Sequence, residues 1–451
     1  MPMVPSHIEI DEIKEKHIES EKIDTKSKHI IPYKDWEIKQ KSASVYEVPI
    51  EYCKYRLDNG RIKTQILTHV KVIGKLKPND DETQKVISEY LGKSDPKTNE
   101  DLKKILKKEG QKDPAVMTAD GFLINGNRRK WAFEQLLKEY PEEKYKKLKV
   151  VILPGSNDPE RPTVKDIAIL ENRFQVYLTG KSEYSKMNKA LTYYTNTKNG
   201  ISLEELLKDD PTFGDNDNKK FQQKIKKFKK EYFEPIKLMD EYLETYGTKG
   251  DYNRVANRWM SFEELGKNVT SNLDNQKFLV EHNIDKKEVG SIKSAAFNII
   301  KLKDSSEVAA DNRYLIRGLP RWIKAEKKDV LKIGNIDDVG DHIKDPDERD
   351  REWQHTKAEE VINLIKKLEN LSTRMKDQLD PLNRLNEALG KLTHEDLDAN
   401  QLEQMKIPDV KKAFDITKEI ENKNNELKSF LYNLHKNSKD PIKKLKKKFN
   451  S

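Results

Sequence analysis

The chain has 451 residues, enough for two or three cores, and its single cysteine, Cys53, excludes an intramolecular disulfide and a multi-cysteine zinc centre. Charged residues (37%) outnumber hydrophobic ones (35%), so much well-solvated helix is expected, and a net charge of +9 makes local clusters, rather than the total, the guide to anionic partners. No apolar run reaches membrane-spanning length and the N-terminus lacks a signal-peptide core, so a cytoplasmic chain without a membrane partner is expected.

Residues 1–44 are polar and read as a mobile arm with one short helix near Ile10 to Ile18. From 45 to about 180, short strands alternate with helices in the manner of a small α/β module. Val48, Ile50 and Tyr52 alternate as a strand, with Cys53 a packing residue beside it. Asn99 to Glu109 reads as a helix with Leu102, Ile105 and Leu106 on one face. Thr98 and Asp101 have capping-box spacing, and Gly110 stands where a helix stops. A strand from Ala115 to Thr118 and the turn Ala119-Asp120-Gly121 come next.

Gly121 to Leu137 is the most informative stretch. The apolar strand Phe122, Leu123, Ile124 runs into the tight turn Asn125-Gly126-Asn127, and Arg128 and Arg129 then open a helix with Ala132, Phe133, Leu136 and Leu137 on its apolar side. Glycine permits a backbone conformation that other residues resist. A helix N-terminus offers unpaired N–H groups, so with two guanidiniums it forms a phosphate cradle; solvated arginines on an ordinary strand-turn-helix are the plainer alternative.

After a strand from Leu148 to Leu153, a helix from about Val164 repeats Ile167, Leu170, Phe174 and Leu178 at helical spacing, with Glu171 in phase. A carboxylate on a packing face is costly unless paired or bound. Either Arg128 or Arg129 pairs with it, or it serves a site together with Asn172.

Beyond 181 the patterns are helical. Residues 182–197 form one helix, Ser202 and Glu205 cap a short second, and a third begins near Lys219. That order fits a helix-turn-helix with a long turn, within a DNA-binding region spanning 181–344. The third helix carries Lys219, Lys220, Lys224, Lys226, Lys227, Lys229 and Lys230 without an acid, so it either contacts DNA phosphates or is a solvated face. Arg254, Arg258 and Trp259 are expected on one helix, as in structural ion-pairing sites. Residues 345–351 read as a charged linker and Trp353 to Leu379 as a long amphipathic helix, with Pro381 and Pro408 as breaks beyond it. Val410, Ala413, Thr417, Ile420, Asn424, Leu427, Leu431 and Leu434 form an a/d seam within a 353–436 helical segment. It makes a homodimer through 410–434 or packs back on the 353–379 helix. Residues 437–451 are a basic tail suited to an anionic surface.

No phosphate-loop, zinc-helix or nucleophile-elbow motif is present, and the nine histidines lack metal-ligand spacing. The ordered boxes QKDP (Gln111 to Pro114), NGNRRKWA (Asn125 to Ala132) and LENRF (Leu170 to Phe174), with NGR (Asn59 to Arg61) upstream, resemble the ParB/sulfiredoxin-like domain over about residues 46–200. The resemblance implies an α+β chain: a small mixed α/β domain, then a mainly helical region with a C-terminal coiled-coil segment. It further implies a nucleotide triphosphate, CTP in that family, held with Mg²⁺ as a switch for DNA association. Arg61, Gln111, Asn125, Gly126, Asn127, Arg128 and Arg129 would then hold the nucleotide, and Glu171 and Asn172 the metal. Sulfiredoxins place a catalytic cysteine where this chain has Asn127, so peroxide repair is excluded. The partition-type branch has glutamate there, and an amide cannot act as a general base, which argues against efficient triphosphate hydrolysis. A nuclease or nucleotide-dependent transferase, with Asp120 as a second acid beside Glu171, is the enzymatic alternative. A non-catalytic helical scaffold is the third.

Overall fold

Val150 and Val151 are both buried although adjacent, because they point to opposite faces of a sheet that is covered on both sides. The sheet has six strands: β1 (Ile23–Ile30), β2 (Ser42–Pro49), β3 (Lys54–Tyr55), β4 (Ala115–Met117), β5 (Phe122–Asn125) and β6 (Lys147–Ile152). Their order is β1-β2-β6-β4-β5-β3, with β6/β4 and β5/β3 parallel and the other pairs antiparallel. Helices α1 (Glu12–Glu21), α2 (Lys63–Val72), α3 (Asp81–Ser94), α4 (Pro96–Glu109), α5 (Asn127–Glu139) and α6 (Val164–Val176) surround it. Ala115, Met117, Leu123 and Val150 face Leu106 of α4 and Ala132, Phe133 and Leu136 of α5. Val116, Ile124 and Val151 face Ile167, Leu170 and Phe174 of α6 together with Tyr33 and Trp36.

The computed structural model describes residues 10–176, 184–208, 213, 218–302, 312–339, 343–391 and 407–437. These fall into two compact units, 1–372 and 373–451. The architecture is α+β, a mixed sheet followed by helices α7 (Lys186–Lys198), α8 (Leu203–Leu207), α9 (Asn218–Phe228), α10 (Glu234–Thr245), α11 (Trp259–Glu264), α12 (Ser271–Leu273), α13 (Gln276–Glu281), α14 (Lys286–Lys301), α15 (Asn312–Gly334), α16 (Pro346–Thr356), α17 (Ala358–Lys391) and α18 (Ile407–Asn437). One apolar core joins Tyr55, Ile62, Ile66 and Leu91 from the sheet half to Leu191, Ile236, Phe262, Trp322, Val361 and Leu368 of the helices. No helix among the described residues is long and apolar enough to cross a membrane.

Several expectations need correction. Residues 10–44 are not an arm: α1 is capped by Asp11, β1 pairs with β2, and Ile18, Ile31, Tyr33 and Trp36 are buried. Ile50 and Tyr52 lie in a 3-10 turn rather than a strand. Asp95, not Thr98, caps α4, because Pro96 is well suited to the first helical position. The 345–351 stretch is no linker. Asp345 accepts from Asp347 and Glu348 N–H groups and Pro346 opens α16. Arg254 lies in a 3-10 segment ahead of α11 and pairs with Asp251, Asp347 and Asp350. Pro381 falls inside α17, where a proline removes one ladder bond and the helix continues on either side. The basic tail, Leu178 and the first nine residues lie outside the described residues.

Candidate phosphate-binding cavity

The strand-to-helix turn is set by Gly126, whose φ is +99°. A Cβ on it would lie 2.4 Å from the Ala115 Cβ, so only glycine lets β5 turn this close to β4. Gly126 brings no side chain to cap α5, and the helix opens with no side-chain hydrogen bond to its first N–H groups. Those groups remain available to an anion.

Three guanidiniums line the same cavity, a space of about 410 Å³ that also takes in Asn59, Asn125, Gly126, Asn127 and Tyr184. Arg128 Nε donates to Asn99 Oδ1 at 2.6 Å, and Asn99, wholly buried, donates in turn to the Leu91 and Gly92 carbonyls at 2.8 and 3.2 Å. Arg129 donates to the Asp113 carbonyl and to Asn125 Oδ1 at 3.4 Å. Arg61 sits in a turn capped by Asn59, its guanidinium 5.3 Å from the Tyr184 ring centre. Burial pulls all three below the ordinary arginine value, Arg129 to about 10, and Arg61 adds like-charge repulsion at Arg128. All three remain cationic at neutral pH.

Asn59 Nδ2, Asn127 Oδ1 and Arg128 Nη2 are buried and have no hydrogen-bond partner among the described residues. Each belongs to a residue lining this cavity. Such atoms are rare because each carries an uncompensated desolvation cost. Two are donors, matching an oxyanion; the third is a hard oxygen acceptor.

The other expected site residues are placed differently. Gln111 does not line the cavity: its amide bonds the Lys149 backbone in both directions, at 2.8 and 2.7 Å, and splints the edge of β6. Glu171 pairs with neither Arg128 nor Arg129. Its carboxylate accepts from Arg56 Nη1 (3.3 Å), the Gly60 N–H (3.0 Å) and the Tyr184 hydroxyl (3.1 Å). Burial nevertheless raises its pKa, against the opposing pull of Arg56. The Asn172 amide donates to the Leu206 carbonyl and accepts from the Tyr193 hydroxyl, tying α6 to α7 and α8. Both groups are thus engaged by protein partners. Asp120 accepts from the Asp11 N–H and the Thr118 hydroxyl and lines a separate cleft. No cluster of three metal-ligating side chains occurs among the described residues.

On α9, Lys219, Lys220, Lys226 and Lys227 are exposed and Lys224 is half-buried, while Lys229 and Lys230 are exposed on the adjoining π-turn. Ile225 and Phe228 anchor this helix on Leu203, Leu206 and Leu207 of α8 and on Tyr193, whose ring centre lies 5.1 Å from that of Phe228. Much of the chain between α8 and α9 lies outside the described residues.

Sequence reasoning missed Asn99, Tyr184 and Asn188. Asn99 carried a signal, a polar residue in phase with Leu102 and Leu106 on the packing face of α4. Asn188 fixes the Arg61 turn through the Arg61 carbonyl (2.6 Å) and the Thr64 N–H (2.9 Å), a relation across more than a hundred residues that no local pattern announces. Neither a family model, nor a curated protein, nor a solved structure matches the chain.

Proposed function

We propose that the chain binds a nucleoside triphosphate by its phosphates in the cavity beneath α5 and associates with DNA through α9. The observation that carries this reading is the set of three buried, unpartnered polar atoms, on Asn59, Asn127 and Arg128, lining one cavity with an uncapped helix N-terminus. Phosphate oxygens would satisfy the two donors and the first-turn N–H groups together. The resemblance of the sequence boxes to the ParB/sulfiredoxin-like domain makes CTP the first nucleotide to test. The Glu171 and Asn172 oxygens accept from Arg56, the Gly60 N–H and the Tyr184 and Tyr193 hydroxyls, so a Mg²⁺ ion held there would compete with these protein donors. Mg²⁺ commonly arrives on phosphates and keeps several waters, and Asn127 Oδ1 is a hard oxygen suited to it. Binding rather than chemistry is the reading, with no catalytic residue assigned.

Helix α7 supports a link between the two sites. Its Asn188 holds the Arg61 turn, and its Tyr193 packs on Phe228 of α9. Calorimetry with the four triphosphates, with and without Mg²⁺ and duplex DNA, tests the whole reading. Binding should occur, strengthen with DNA, and weaken more than about tenfold in the R128A/R129A double variant, which loses charge-assisted bonds worth roughly 1.5–3 kcal/mol each. A wild-type chain that binds no triphosphate at millimolar concentration overturns it.

A further inference from the structure

Leu106 and Gly110, which line the cavity, also line a second opening of about 360 Å³. Its walls carry five lysines: Lys107 and Lys108 from the last turn of α4, Lys144 from the approach to β6, and Lys147 and Lys149 from the start of β6, on the face opposite Leu148 and Val150. The acids there are Glu47 and Glu143. Lys144 pairs with Glu142 and Glu143 with Lys146, but Lys107, Lys108, Lys147 and Lys149 form no ion pair among the described residues. Lys107 instead rests over the Tyr140 ring, 3.6 Å from its centre. Even Glu47, directly across from Lys149 in the β2/β6 pairing, does not pair with it.

A second observation is independent of charge. Tyr145 lines the same opening and is 1% exposed, yet among the described residues its hydroxyl has no acceptor, only the Lys144 ammonium beside it. Its ring is braced by Phe133, centres 5.9 Å apart. A buried phenol donor without an acceptor is what a bound oxyanion would relieve.

We propose that this groove is a second anion site, taking the sugar–phosphate backbone of a nucleic-acid strand on Lys107, Lys108, Lys147 and Lys149. Lys147 and Lys149 stand on one face of β6, two residues or roughly 6.6 Å apart along the strand. That spacing exceeds the separation of neighbouring phosphorus atoms in a polyphosphate and resembles that of an extended nucleic-acid strand. The assignment does not depend on what the cavity beneath α5 holds.

Fluorescence anisotropy of the full chain with a labelled single strand of about 12 nucleotides, a length within the range of known single-strand sites, tests it across a salt series. The K107Q/K108Q/K147Q/K149Q variant should bind more than about tenfold more weakly, with a log–log salt slope shallower by about 0.7 for each phosphate no longer neutralised. The K107Q/K108Q variant, confined to the exposed end of α4, should give about half that change and keeps the test valid if the fourfold variant melts early. Triphosphate binding, read by calorimetry, should not change in either variant. An unchanged affinity and slope overturns the proposal. So does inorganic tripolyphosphate that displaces the strand and binds more tightly than it does, which would make the groove a site for free polyphosphate.

Discussion

Asn99 Oδ1 holds Arg128 Nε at 2.6 Å from a position with no exposure to solvent, and its own amide is fixed by the last carbonyls of α3. The guanidinium is therefore aimed by a helix end rather than by a carboxylate. Its charge is left for a ligand, while its orientation is fixed before one arrives. Pre-organisation of this kind lowers the entropic cost of binding.

Replacing Asn99 with leucine keeps the apolar stripe of α4 but removes the acceptor. Arg128 Nε and two helix-end carbonyls then lose their partner, so unfolding free energy in urea should fall by about 1–3 kcal/mol. Triphosphate affinity should fall with it. If affinity holds while stability drops, Arg128 is aimed by something else.

Gly126→Ala should be among the most damaging single changes in the sheet. It meets both a left-handed φ and the Ala115 Cβ at 2.4 Å, whereas Gly110, at φ +71°, has nothing within 4 Å of an added Cβ. Strain at such a φ costs about 1–3 kcal/mol. G110A should show only that, and G126A clearly more, in side-by-side thermal melts. Equal losses would mean that β4 gives way at little cost.

Glu171 supplies a pH signature. Burial first, with Asp58 adding to it, raises its pKa, while Arg56, the Gly60 N–H and the Tyr184 hydroxyl oppose the shift. A carboxyl raised in the folded state binds more protons folded than unfolded. Its contribution is therefore greatest below about 4.3, the unfolded glutamate value, and declines as pH rises through the folded value. The stability difference between wild type and E171Q, measured in urea from acid to neutral pH, should fall along that window. A difference that grows with pH would show that Arg56 outweighs burial.

Salt dependence tests α9. Neutralising Lys224, Lys226 and Lys227 should make the log–log slope for duplex DNA shallower by about 0.9 for each phosphate contact removed. With the slope unchanged, the duplex is held elsewhere.

On α18, Val410, Ile420 and Leu431 are 49%, 39% and 47% exposed, while Ala413 and Leu427 are half-buried. In the first unit, Val361, Ile365 and Leu368 of α17 are already buried in the core. Light scattering should find a dimer that becomes a folded monomer on L427D/L431D, because charges in an a/d seam disfavour pairing. A monomeric wild type at high micromolar concentration would exclude a dimer through this seam.

What was legible in the sequence was local. The apolar run Phe122 to Ile124, the glycine of the turn and the apolar stripe of α5 each depend on nearest neighbours, and the Ser202/Glu205 capping box formed as its spacing dictates. The edge strand β1 was not legible because none of its residues is buried and its register is interrupted between Asp24 and Lys28, so no apolar alternation marks it. The start of α16 was misread for a different reason: its charged residues suggested a linker, although Asp345-Pro346 is a helix-opening pair. The partners of Glu171 and Arg61 are tertiary facts. Arg56, Tyr184 and Asn188 reach them from distant positions, and a helical stripe states only that a carboxylate is buried, not what meets it.

The shared core has a practical consequence. A fragment ending at Val176 would retain every strand and both arginines of the turn, yet it would leave Ile62, Ile66, Leu67 and Leu91 without the helices that cover them. It would also lose the amide that fixes the Arg61 turn. Cutting where strands give way to helices therefore divides a hydrophobic interior rather than a linker. Such a truncation should aggregate or melt instead of yielding an autonomous ligand-binding module.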